Sequence, residues 1–104
     1  MYKLGFFVPP SHVEQVKAAL FEAGAGRLGN YDSCCWQTLG EGQFRALQGS
    51  DPFVGHEGKI EKVREYRVEL VCEDDKLTAV VAALRASHPY EEVAFDVVQL
   101  VTLP

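Results

Sequence analysis

The chain predicts an α+β fold, a ferredoxin-like split β-α-β sandwich with duplicated β-α-β units, and three observations carry that expectation. The first is an internal near-repeat. Tyr2-Lys3-Leu4-Gly5-Phe6-Phe7-Val8 lines up with Tyr66-Arg67-Val68-Glu69-Leu70-Val71-Cys72, Lys17-Ala18-Ala19-Leu20 with Val81-Ala82-Ala83-Leu84, and Tyr31-Asp32 with Phe95-Asp96. The offset is 64 residues each time, without a gap. A constant offset through strand-like, helix-like and strand-like stretches reads as one β-α-β unit used twice. The second is the placement of breakers: Pro9-Pro10, Gly24 and Gly26, Gly40-Glu41-Gly42 and His88-Pro89 each close a periodic stretch. The third is size. A chain of 104 residues makes one domain, residues 1–104, able to bury a core without staples.

Each element has its own justification. Tyr2 to Val8 alternates, with Leu4, Phe6 and Val8 on one face. Ser11-His12-Val13-Glu14 has the form of a capping box, in which the Ser hydroxyl and the Glu carboxylate each take a free amide. Val13, Val16, Leu20 and Ala23 then recur at helical spacing until Gly24 and Gly26 stop the helix. Tyr31 to Leu39 reads as a second strand, Gly40-Glu41-Gly42 as a tight turn and Gln43 to Leu47 as its hairpin partner. Gln48 to Gly58 is a loop, so hairpin and loop occupy about residues 31–62. The next strand runs from near Arg64 to Glu73. Asp74 or Asp75 caps the second helix, with Leu77, Val80, Val81 and Leu84 as its buried stripe. His88-Pro89 ends that helix, because proline cannot continue the hydrogen bonding and restricts the residue before it. Val93 to Val101 is the last strand.

That last strand is apolar on both faces, Phe95, Val97 and Val101 on one and Ala94, Val98 and Leu100 on the other. A sheet with helices on one side only should alternate apolar and polar. Something else therefore covers the second face, and another copy of the chain, in a homo-oligomer, is the simplest cover.

Composition excludes several classes. The net charge of −5 opposes a nucleic-acid surface, which needs clustered Lys and Arg, and equally an anionic membrane surface. No apolar run reaches the roughly 20 residues that span a bilayer. The N-terminus enters a strand directly, without a signal-peptide pattern. Three cysteines, two of them adjacent, form no disulfide framework, so a reducing cytoplasm is expected.

The sharpest cluster is His88-Pro89-Tyr90-Glu91-Glu92. It falls where the first copy has Gly24 to Leu28, so the β-α-β unit as such does not need it. An imidazole and two carboxylates could bind a divalent metal ion through His88, Glu91 and Glu92, or exchange a proton. A helix C-terminus also favours a cationic His without any ligand. Gly24-Ala25-Gly26-Arg27-Leu28-Gly29 matches the dinucleotide fingerprint by letter, but follows a helix and enters a strand, the reverse of the required context. Cys34 and Cys35, as strand neighbours, point to opposite faces. Cys34 and Cys72 align with Val98 and Val8 and read as small buried hydrophobes. His12 is expected exposed in the first helical turn and His56 lies in the long loop. No catalytic Ser-His-Asp arrangement is legible.

Several segments in order resemble the inserted domain of the YqfO-type members of the NGG-interacting-factor-3-like family: Gly26-Arg27-Leu28-Gly29-Asn30-Tyr31-Asp32, Gly40-Glu41-Gly42-Gln43-Phe44-Arg45, Pro52-Phe53-Val54-Gly55, and His88 to Asp96. The resemblance covers nearly the whole chain. It implies a stand-alone insert domain similar to CutA and PII proteins, hence a trimer. It points to Tyr90 and Glu91 as ligand-binding residues, with His88 to Glu91 matching a segment that CutA proteins share. CutA proteins are linked to divalent cations. The flanking halves that carry the larger proteins' metal ligands are absent, so their dinuclear metal centre is not carried over. Three readings follow: a non-catalytic oligomeric ligand-binding or regulatory module, a divalent-metal-binding protein, and a nucleotide hydrolase.

Overall fold

Alternation along Tyr2–Val8 sends Leu4, Phe6 and Val8 into the interior as expected, and the strand β1 has those bounds in a computed structural model that describes residues 1–104. The helix α1 (Val13–Glu22) buries Val13, Val16 and Leu20. The remaining elements are β2 (Trp36–Arg45), β3 (Ile60–Cys72), α2 (Leu77–Ser87) and β4 (Phe95–Gln99). The sheet order is β2-β3-β1-β4, every neighbouring pair antiparallel. This is the split β-α-β order that the duplication predicts. One face of the sheet contributes Leu4, Phe6, Val8, Val68, Leu70 and Cys72 to a core closed by the helices, with Val80 and Leu84 from α2 fully buried. No helix is long and apolar enough to cross a membrane.

Two helix-cap expectations are corrected. Ser11 and Glu14 do not form a capping box. His12 occupies the cap position of α1, Ser11 Oγ bonds its Nδ1 at 2.8 Å, and Glu14 pairs with Lys17 one turn on, also at 2.8 Å. An exposed carboxylate finds a nearby ammonium more easily than it reaches back to an amide. Likewise neither Asp74 nor Asp75 caps α2. A single 3₁₀ turn, Asp74–Lys76, leads into the helix, and Asp74 accepts the N-terminal ammonium instead.

The hairpin is larger than expected. Gly40 and Gly42 do not turn the chain; β2 runs straight through them and pairs with β3 from Trp36↔Glu69 to Arg45↔Ile60. A two-residue hairpin turn needs positive φ, which these glycines lack and Gly49, Gly55 and Gly58 in the loop beyond have. β3 consequently starts at Ile60 rather than near Arg64, with Glu41 facing Arg64 and Gln43 facing Lys62 across the ladder. This ribbon outruns β1, whose partners on β3 stop at Tyr66, and gives the molecule a long axis of 50 Å against 24 Å.

The repeat also breaks at one place. Tyr31-Asp32 matches the start of β4 in sequence but not in structure. Leu28 and Tyr31 exchange backbone hydrogen bonds around Gly29-Asn30, and Cys34 N–H returns to Gly26 O at 2.9 Å. This small turn delays β2 to Trp36, so Cys34 is half-buried, Cys35 is exposed, and neither lies on a strand.

Candidate functional site

The face of the sheet away from the helices has no second layer. Phe7, Arg67, Thr38 and Glu65 point to it, because Leu4, Phe6 and Val68 on the alternate positions point to the core. At one end of this face the β2–β3 loop folds back. Phe53 in that loop meets His12 edge-on, with ring centroids 5.5 Å apart, and tilts against Tyr90 at 6.1 Å. Asp51 N–H donates to Glu91 Oε2 at 2.9 Å. Loop, sheet face and the Tyr90–Glu92 segment thus enclose a cleft of about 840 Å³, walled by Phe7, Phe44, Phe53 and Tyr90 and by the carboxylates described below. A cleft of this size, largely apolar with a few polar groups, is the usual form of a small-ligand site.

His88 fixes the segment. It is 7 % exposed, and its Nε2 lies 2.7 Å from Phe7 O. A carbonyl only accepts, so Nε2 carries the proton. Nδ1 is then a bare acceptor, and it takes the Tyr90 N–H at 3.1 Å. Burial pushes the imidazole below its ordinary value of 6.5; the Phe7 bond opposes this and the charge of His12 adds to it. His88 is therefore a neutral side chain with both nitrogens engaged. Pro89 follows, ending the helix at Ser87 and turning the chain toward the cleft.

Tyr90 is half-buried, but its hydroxyl oxygen is fully buried and forms no hydrogen bond. Burial and the facing Glu65 carboxylate push its pKa up to about 12, so the proton stays on. The Glu65 carboxylate faces the hydroxyl closely enough to hold its proton by charge and by hydrogen bonding, although the two are not in full hydrogen-bond geometry and the hydroxyl has no other partner. Of the expected site residues, Tyr90, Glu91 and Glu92 reach the cleft wall, whereas His88 is withdrawn behind it. No group of three or more His, Cys, Asp or Glu side chains converges to hold a metal. His12 is half-buried rather than exposed, His56 is exposed in the loop, and Cys72 is buried, where desolvation raises its thiol pKa.

Phe7, Thr38 and Glu65 were not singled out by motif, and Phe53 stood in the Pro52-Phe53-Val54-Gly55 motif without a role assigned to it. One signal was available. Gly40 and Gly42, two residues apart, strip one strand face of side chains, and the Glu65 carboxylate lies over Gly42, where a Cβ would overlap it.

The sheet order, the helix pair and the cleft at one end of the uncovered face define a CutA/PII-like ferredoxin-like fold. The periplasmic divalent cation tolerance protein CutA from Archaeoglobus fulgidus superposes on the whole chain with a TM-score of 0.69 at 18 % identity, over 88 % of its own length. The Bacillus cereus protein related to NIF3 matches with a TM-score of 0.83 and 39 % identity over 97 % of this chain and 26 % of that one. The GTP cyclohydrolase 1 type 2 homolog of Mycobacterium bovis is 49 % identical over 98 residues, 94 % of this chain. The chain spans 26 % of that relative's length. No protein-family model matches the chain. The chain is homologous to one segment of the NIF3/YqfO-type proteins, as its motifs imply.

Proposed function

We propose that this protein is a non-catalytic, homo-oligomeric ligand-binding module of the CutA/PII type, taking a small ligand in the open-face cleft against Tyr90 and Glu91. The observation that carries the reading is the orphaned Tyr90 hydroxyl, buried in the wall of a roomy cleft. A buried polar group without a partner is unfavourable by roughly 1–3 kcal/mol, and a ligand that supplies the partner recovers it. The cleft wall carries neither His nor Cys; of the two imidazoles that pack against wall residues, His88 is engaged through both nitrogens and His12 meets Ser11 Oγ through its Nδ1. That arrangement offers no imidazole or thiol nucleophile to a ligand in the cleft, and the reading is of binding.

The oligomer part rests on the other end of the open face, where Trp36 and Val98 are 59 % and 53 % exposed. Apolar side chains on an uncovered sheet face are suited to another copy, and a trimer is the form that the resemblance to CutA and PII proteins implies. Light scattering tests it: the expected mass is about 34.5 kDa, three times 11.5 kDa, and a monomer at micromolar concentration overturns it.

A metal reading through His88, Glu91 and Glu92 draws less support. It requires His88 to give up Phe7 O or the Tyr90 N–H, and Glu91 to release Asp51. Calorimetry with copper, zinc and cobalt decides it, because a His88→Ala change would abolish such binding. The relatives' name also raises a nucleotide substrate, but the carboxylates of the wall do not favour a polyphosphate.

A further inference from the structure

We propose that the cleft recognises an organic cation, a protonated amine or guanidinium on a flat apolar body, with Glu65 as counter-charge and the Tyr90 hydroxyl as hydrogen-bond acceptor. This deepens the ligand-binding reading above and rests on it.

The charge pattern comes first. The wall carries four carboxylates, Glu41, Glu65, Glu91 and Glu92, against two guanidinium groups, Arg45 and Arg67. Arg67 is already committed. Its Nη2 bridges both oxygens of Asp96 at 3.1 and 3.3 Å, its Nε reaches Glu69 at 3.4 Å, and its guanidinium sits 5.0 Å over the Phe7 ring. Arg45 lies at the far end of the ribbon and is exposed. On the carboxylate side Glu91 is held by the Asp51 amide. Glu65 has no ion pair within 4.0 Å although it is half-buried.

The position of Glu65 is built into the backbone. It stands on β3 opposite Gly40 and one step from Gly42, over whose bare Cα the carboxylate lies. Any side chain at Gly42 would displace it. A half-buried carboxylate without a cation, facing a buried hydroxyl whose acceptor lone pairs no other group uses, leaves a place for one cationic donor between them. An ammonium or guanidinium fills it, donating to Tyr90 Oη and to Glu65. A phosphate or carboxylate does not, since the Tyr90 proton could serve it only against the repulsion of Glu65. The aromatic walls, Phe7, Phe44, Phe53 and Tyr90, add faces whose negative quadrupole attracts cations, and Arg67 over Phe7 shows that geometry within the chain itself.

The experiment titrates the full chain with tryptamine and phenethylamine, with phenethyl alcohol as an uncharged isostere and GTP as an anion, by calorimetry and amide chemical shifts. The amines are expected to bind at the cleft, at least about tenfold more tightly than the alcohol. Glu65→Gln should weaken them by about tenfold or more, and Tyr90→Phe by a smaller factor. Gly42→Ala is the second route. Its φ is not left-handed, so the fold tolerates the methyl, yet the methyl evicts the Glu65 carboxylate, and amine affinity should fall while the melting temperature holds. Amine binding that survives both Glu65→Gln and Gly42→Ala overturns the proposal. So does preferential binding of GTP or the alcohol at the same residues, which leaves the cleft reading standing. If no compound shifts a cleft residue, both readings fall.

Discussion

The two helix-to-strand corners of this molecule do the same job by different chemistry. After α1, the Gly26 amide donates to Val71 O of β3 at 2.7 Å. After α2, the His88 imidazole donates to Phe7 O of β1 at 2.7 Å. Phe7 and Val71 occupy the same place in the two copies, and His88 corresponds to Gly24. Each corner thus ties its helix to the central strand of the other unit through an equivalent carbonyl. The first corner uses backbone and needs left-handed glycines, Gly24 at φ 113° and Gly26 at φ 79°. It then closes on itself through Leu28 and Tyr31. The second uses a side chain long enough to leave the backbone outside the tie. Tyr90, Glu91 and Glu92 are consequently free to face the cleft. Where one copy makes a turn, the other makes a wall.

The largest test of this comparison is His88→Ala. It strands Phe7 O and the Tyr90 amide and leaves a hole in a packed corner, so a loss of about 2–4 kcal/mol is expected in chemical denaturation. A loss under about 0.5 kcal/mol would show that the imidazole is not the tie. On the other corner, Gly26→Ala combines left-handed backbone with a Cβ 2.8 Å from the Phe21 ring and 2.9 Å from Cys34 O. It should lose roughly 1–3 kcal/mol by thermal denaturation. Gly29→Ala, at φ 59° with nothing within 4 Å, should lose less, and equal losses would remove the packing part of the explanation.

A third test varies pH. The folded state holds His88 below its ordinary 6.5, so below that value the unfolded chain binds the extra proton. The His88 contribution is therefore complete above pH 6.5 and is lost as pH falls toward the folded-state value, with a slope no steeper than about 1.4 kcal/mol per pH unit. His88→Gln should remove this component of the pH dependence of stability, and an unchanged profile would contradict the neutral assignment. The smallest effect belongs to Tyr90→Phe. Deleting a buried hydroxyl without a partner should change stability by less than about 0.5 kcal/mol or raise it slightly. A loss above about 1 kcal/mol would reveal a partner for that oxygen.

Much of the fold was legible because it follows from periodicity and breakers. Tyr2–Val8, the stripes of both helices and the stop at His88-Pro89 needed no tertiary information. Errors fell where a local signal had two physical uses. Gly40-Glu41-Gly42 reads as a turn when glycine is taken for positive φ, but here the missing side chain at Gly42 makes room for Glu65 across the ladder. Ser11 and Glu14 have capping-box spacing, yet a neighbouring imidazole and ammonium take them. Tyr31-Asp32 matches Phe95-Asp96 by letter, while the Gly29-Asn30 turn gives it a different place in the fold.

The candidate site was half legible. Contrast between the copies isolated His88 to Glu92, and Tyr90, Glu91 and Glu92 do line the cleft. The contrast could not separate the residue that holds the wall from those that form it, because that depends on which lone pairs of His88 are already taken. It also left the hairpin and loop from Thr38 to Lys62 unmatched, but could not pick out Phe53, brought to the wall by a loop fold-back, and it could not find Phe7, whose neighbours on both sides are equally apolar.

The most direct test of the account is amide chemical-shift mapping with a mixed panel of small cationic, neutral and anionic aromatics. Perturbations are expected to concentrate at Phe7, Thr38, Phe53, Glu65 and Tyr90, whichever member of the panel binds. Perturbations centred instead on the outer face of α2, at Thr78, Val81 and Arg85, or none at all, would contradict it.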